Sequence, residues 1–94
     1  MHIGLLILHI NLPACRSLKE KRRRLKPLIT RLQRDYKLSA AEVDLQEVWQ
    51  SSVIACALIS NSARHTHSVL QKVSTWVERE WHDLELIDHQ IELL

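Results

Sequence analysis

Two amphipathic segments of helical period alternate with four strand-length apolar runs in this chain, and that order leaves few folds open. His2–Leu12 is rich in leucine and isoleucine and stops before Pro13, as a strand does. Ser17-Leu18-Lys19-Glu20 has the form of a capping box, in which the serine hydroxyl and the glutamate carboxylate satisfy free N–H groups at a helix start. The helix it opens should run from Leu18 to about Tyr36. Leu18, Leu25, Leu28, Ile29, Leu32 and Tyr36 fall in one stripe at ~100° per residue. Pro27 interrupts that helix, removes one backbone bond and predicts a kink. Leu38–Gln46 alternates weakly, as a half-exposed edge strand does. Glu47-Val48-Trp49-Gln50 is a short connection to Ser51–Ile59, which is apolar on both faces and reads as a central strand. Asn61 or Ser62 can cap a second helix with the stripe Ala63, Val69, Leu70, Val73, Trp76, Val77 and Trp81. Leu84–Leu94 alternates again, as a fourth strand.

The resulting order, β-α-β-β-α-β, is the split βαβ or ferredoxin-like pattern. Right-handed crossovers make strands 1 and 3 central and strands 2 and 4 edges. The expected architecture is α+β: a four-stranded antiparallel sheet with both helices on one face and the other face open. Ninety-four residues with one glycine and two prolines fit a single domain, residues 1–94, without a linker. A chain this short buries only about 60–65% of its unfolded surface, so modest stability or oligomerisation is expected.

Several classes of function are disfavoured. No apolar run approaches the ~20 residues of a membrane helix, and the first residues lead into a strand with no leader pattern. Cys15 and Cys56 have no metal-site or disulfide spacing, so a reduced cytoplasmic setting is expected. One glycine excludes a glycine-rich phosphate loop. No catalytic constellation and no cofactor follow from the spacing of the remaining polar residues.

Charge is distributed unevenly behind a small net value of +2. Residues 16–37 hold ten of the 13 lysines and arginines against two acids, Glu20 and Asp35. From Glu78 onward there are six acids and one base. Lys19, Lys21, Arg22, Arg23, Arg24 and Lys26 crowd the first turns of the first helix, where cations oppose the macrodipole. Lys19, Arg23 and Lys26 share one solvent ridge. Lys21 and Arg22 border the apolar stripe, where their stems can pack and their heads emerge beside the sheet. An anion at this helix start would meet both side-chain cations and free N–H groups. The competing reading is a solvated face paired with the acidic last third.

The open sheet face is the second feature. If the even positions of strand 1 face the helices, Ile3, Leu5, Ile7, His9 and Asn11 point outward, joined from strand 3 by Val53, Ala55, Ala57 and Ile59 or by the alternate set, which is apolar too. Such a patch marks a homo-oligomer or partner interface more often than a face covered by the chain's own loops. It carries no aromatic residue, so base stacking on the sheet is not expected. Among the histidines, His65 and His67 diverge on a helix, and His9 with His89 form at most a cross-strand pair. Cys15 precedes a helix start among cations, where a thiolate is favoured, but has no sequence-local base.

Met1-His2-Ile3-Gly4, Ser17-Leu18-Lys19-Glu20-Lys21-Arg22-Arg23, Ala41-Glu42-Val43, Trp49-Gln50, and Ser60-Asn61 with Ala63-Arg64-His65 occur in this order. Together they resemble the YlxP-like family of small bacterial proteins of unknown function, over essentially the whole chain. The resemblance implies a ferredoxin-like fold and a genomic neighbourhood of translation-initiation and ribosome-maturation genes. It carries no catalytic residue. It directs attention to Ser17, Lys19, Lys21, Arg22, Arg23, Asn61, Arg64 and His65, and Pro27 departs from the family's uninterrupted helix. The leading expectation is an RNA- or ribosome-associated module contacting phosphate through Ser17, Lys19, Lys21, Arg22, Arg23, Lys26, Arg64 and His65. The alternatives are assembly through Ile3, Leu5, Ile7, Val53, Ala55 and Ala57, and an enzymatic reading that rests on Cys15 or on His65 with Arg64 and predicts a pocket where these groups converge.

Overall fold

A computed structural model of the chain describes residues 1–94. Six elements follow in the expected order: β1 (His2–Asn11), α1 (Leu18–Tyr36), β2 (Ser39–Asp44), β3 (Ser51–Ser60), α2 (Ala63–Glu80) and β4 (Glu85–Leu93). The sheet runs β2-β3-β1-β4, and every neighbouring pair is antiparallel. This is an α+β, ferredoxin-like fold with β1 and β3 at its centre.

The period-two pattern of the central strands decides which face is the core. Leu6, Leu8 and Ile10 lie opposite Cys56, Ile54 and Ser52, and all six are fully buried. Leu25, Leu28 and Leu32 of α1 and Leu70, Val73 and Val77 of α2 complete that core. Burial pushes the Cys56 thiol up to about 12, so it stays protonated as a packing group. At Gly4 the side chains of α2 pack directly on the β1 backbone. A Cβ there would lie 2.3 Å from Thr66 Cγ2 and 2.8 Å from Leu70 Cδ1. Any side chain at this position would force Thr66 and Leu70 to shift.

The helix ends follow from side-chain chemistry. Ser17 Oγ accepts the Glu20 N–H at 3.0 Å, which is half of the expected capping box. The other half is not formed, because the Glu20 carboxylate turns to Arg24 at 3.5 Å. Lys37 ends α1 in the left-handed region, with φ 57°, and its N–H returns to the Leu32 carbonyl. Ser62, the second of the two candidate caps, accepts the His65 N–H at 3.2 Å and starts α2. Pro27 does not end α1. It is exposed, so the Arg23 carbonyl it leaves without an N–H partner stands on the solvent side.

Candidate nucleic-acid interface on helix α1

The first turns of α1 carry two opposite faces. Leu25, Leu28 and Leu32 point to the sheet, and Lys21 occupies the same stripe one turn earlier. Lys21 is 1% exposed. Its Nζ meets Glu42 Oε2 at 2.7 Å and donates to the carbonyls of Leu45 at 2.7 Å and Val48 at 2.6 Å. An ammonium has three N–H donors, and three acceptors surround this one. Glu42 Oε2 also accepts from the buried Ser52 hydroxyl at 2.6 Å. Lys21 therefore leaves the expected phosphate-contacting set. Its head does not emerge beside the sheet, because the β2–β3 turn closes over it.

Arg24 is occupied in a similar way. Its guanidinium pairs with Asp83 at 2.9 Å and donates to the Pro13 carbonyl at 2.9 Å. This joins the β1–α1 connection to the α2–β4 connection. Of the six carboxylates from Glu78 onward, Asp83 alone forms an ion pair. Beyond that one pair with Arg24, the acidic last third forms no ion pair with α1.

What remains is a ridge. Lys19, Arg22, Arg23 and Lys26 are exposed, form no ion pair and fall within an arc of about 100° on α1. Arg16, exposed and unpaired, immediately precedes the cap. Two shallow grooves flank the ridge. One, of about 380 Å³, lies toward β2 between Arg22 and Glu42; the other, of about 480 Å³, lies between Arg23, Arg34 and Trp81. Lys26 and Thr30 line both. Farther along, Arg31 and Arg34 share Asp35, and their hydrogen bonds hold its carboxyl down at about 2. Arg31 also lies over the Trp76 ring, 5.2 Å from its centroid.

The other expected site residues lie elsewhere. Ser17 is a helix cap whose hydroxyl oxygen already accepts a backbone N–H. Arg64 and His65 are exposed on the first turn of α2, which begins beyond Ser60, the partner of His2. That is the opposite end of the sheet from α1's start, a strand length of ~30 Å away. Cys15 lies at the α1 end, fully buried, with its thiol 3.5 Å from the Ser17 carbonyl. Cys15 and His65 thus do not converge, and the pocket expected to join Cys15 with Arg64 and His65 is not formed. Across β1 and β4, His9 faces Asp88 and not His89. No group of three or more metal-ligating side chains is assembled.

In the sequence the β2–β3 turn reads only as a connection. Leu45, left-handed at φ 58°, closes it by accepting the Val48 N–H at 3.0 Å, and Val48 and Trp49 stand exposed on it. Asp44 and Glu47 are its exposed carboxylates. No helix of the protein is long and apolar enough to cross a membrane.

Fold and surface together define a small α+β protein with a cationic helix beside an anchored turn. Residues 3–91 match the family described as "Protein of unknown function (DUF503)", and the chain belongs to that family. It is also similar to "Uncharacterized protein YlxP" of Bacillus subtilis (strain 168), at 37% identity over 62 residues, covering 66% of this chain and 67% of the relative.

The two lysines at the start of α1 should respond oppositely to substitution. In urea unfolding, Lys21→Ala is expected to cost about 3–5 kcal/mol, because it strands Glu42 and two carbonyls. Lys19→Ala should stay within about 0.5 kcal/mol of the parent. Equal effects would show that Lys21 is not held as described.

Proposed function

We propose that this protein is an RNA-binding module of the translation machinery's surroundings, in the cytoplasm, and that the α1 ridge contacts phosphates. The observation that carries the reading is the unpaired state of Arg16, Lys19, Arg22, Arg23 and Lys26, at the helix end where the macrodipole already favours an anion. Phosphate oxygens complement such a ridge, and counterion release makes the contact salt-dependent. The genomic setting implied by the family resemblance agrees with an RNA ligand. Both cysteines are free, which agrees with a reducing compartment. Arg64 and His65 would form a separate, minor contact at the far end of the sheet.

Filter binding to a structured RNA tests this. About five phosphate contacts predict a loss on the order of 100-fold between 50 and 200 mM salt. The Lys19/Arg22/Arg23 triple alanine variant, which spares Lys21, should bind weakly with a shallower salt slope. Salt-insensitive binding, or full binding by the triple variant, would remove the ridge from the site.

A second reading rests on the open sheet face. Ile3, Leu5 and Ile7 face Ile59, Ala57 and Ala55 across the central pair, with Val53 beyond them, and Ile59 is 65% exposed. This apolar stripe suits a second copy of the chain. Light scattering should then give a dimer that Leu5→Glu converts to monomer, and a monomeric parent at high concentration would discard the reading.

A further inference from the structure

We propose that Trp49 is a stacking platform for an unpaired nucleobase, so that the α1 site takes single-stranded segments of RNA. The inference rests on the phosphate reading above and adds the form of RNA the site selects. Trp49 is 50% exposed, yet the residues on either side of it are fixed. The Val48 carbonyl accepts from Lys21 Nζ at 2.6 Å. The Gln50 carbonyl accepts the Leu12 N–H at 2.9 Å, and Gln50 Nε2 donates to the Cys15 carbonyl at 3.5 Å. One anchor is the first turn of α1 and the other is the segment that leads into it.

Those same segments carry the free cations. Arg16 directly follows Cys15 and Arg22 directly follows Lys21; both are exposed and neither forms an ion pair. The topology therefore brings an exposed indole to the end of the molecule where the cationic ridge begins. The other two tryptophans have packing partners: Trp76 lies 5.4 Å from Tyr36 and 5.6 Å from Trp81, centroid to centroid. Trp49 appears in no such aromatic pair and stands outside the hydrophobic core. Single-strand-binding surfaces combine aromatic stacking for bases with cations for phosphates; here the concavity at the indole is lined by Glu47, Val48 and Gln50, and the cations stand on the adjoining segments. A paired duplex buries its base faces and offers nothing for the indole to cover. The open sheet face lacks aromatics, so stacking falls to this turn.

The probes are a single-stranded RNA oligonucleotide and a fully paired RNA duplex, measured by fluorescence anisotropy. Trp49→Ala should weaken single-strand binding about 5- to 150-fold, the range for removing one stacked base contact, with the salt slope unchanged. Trp49→Phe should restore most of it, and duplex binding should not move. If Trp49→Ala binds the single strand like the parent while Lys19/Arg22/Arg23→Ala does not, the phosphate reading stands and stacking is overturned. Equal losses on single strand and duplex also overturn it, because they report a change of shape or charge. If the parent binds neither probe at low salt, both readings fall.

Discussion

A lysine ammonium sealed inside the protein organises this end of the fold. Removing an ion from water is costly unless every donor finds an acceptor, and Lys21 finds Glu42 and two backbone carbonyls. The partners come from the far end of β2 and from the β2–β3 turn, so one side chain ties the first turn of α1 to the hairpin. Ser52 extends the network to the central strand β3. Leu45, whose left-handed backbone is unfavourable for a leucine, supplies one of the carbonyls, so the clamp holds the turn in a shape it would not adopt freely.

With Lys21 engaged inside, the opposite face of α1 carries charge of a different kind. The helix neutralises its cations where they need it least. Arg31 and Arg34 share Asp35 near the C-terminal end, where the macrodipole already favours positive charge. At the N-terminal end, where each exposed cation costs about 0.3–1 kcal/mol, only Arg24 is relieved, by Glu20 and Asp83. Lys19, Arg22, Arg23 and Lys26 keep their charge facing water and one another. A negative guest on this ridge would remove both the dipole conflict and the mutual repulsion.

The βαββαβ order, the central placement of β1 and β3, the outward set Ile3, Leu5 and Ile7, and the Ser17 cap are all local pattern and were legible in the sequence. The Lys21 position was legible too: it precedes Leu25, Leu28 and Leu32 by four, seven and eleven residues, the spacing of one buried stripe. Its lysine identity argued for solvent. What the sequence hides is the acceptor set, since Leu45 and Val48 lie 24 and 27 residues away. The same distance hides Trp49, whose exposure looks incidental until its neighbours are seen pinned to α1. Arg64 and His65 are close to α1's cations in no sense that sequence could correct, because their separation is set by the length of the strands.

Helix α1 divides its lysines between an internal clamp and an external ridge, which we propose faces RNA. Residue-resolved acetylation of the native protein, read by mass spectrometry with and without single-stranded RNA, tests it directly. Lys21 should stay unmodified throughout, Lys37 and Lys72 should react alike in both states, and Lys19 and Lys26 should react in the free protein and be shielded by RNA at low salt. Rapid modification of Lys21, or RNA that leaves Lys19 and Lys26 as reactive as before, would contradict that division.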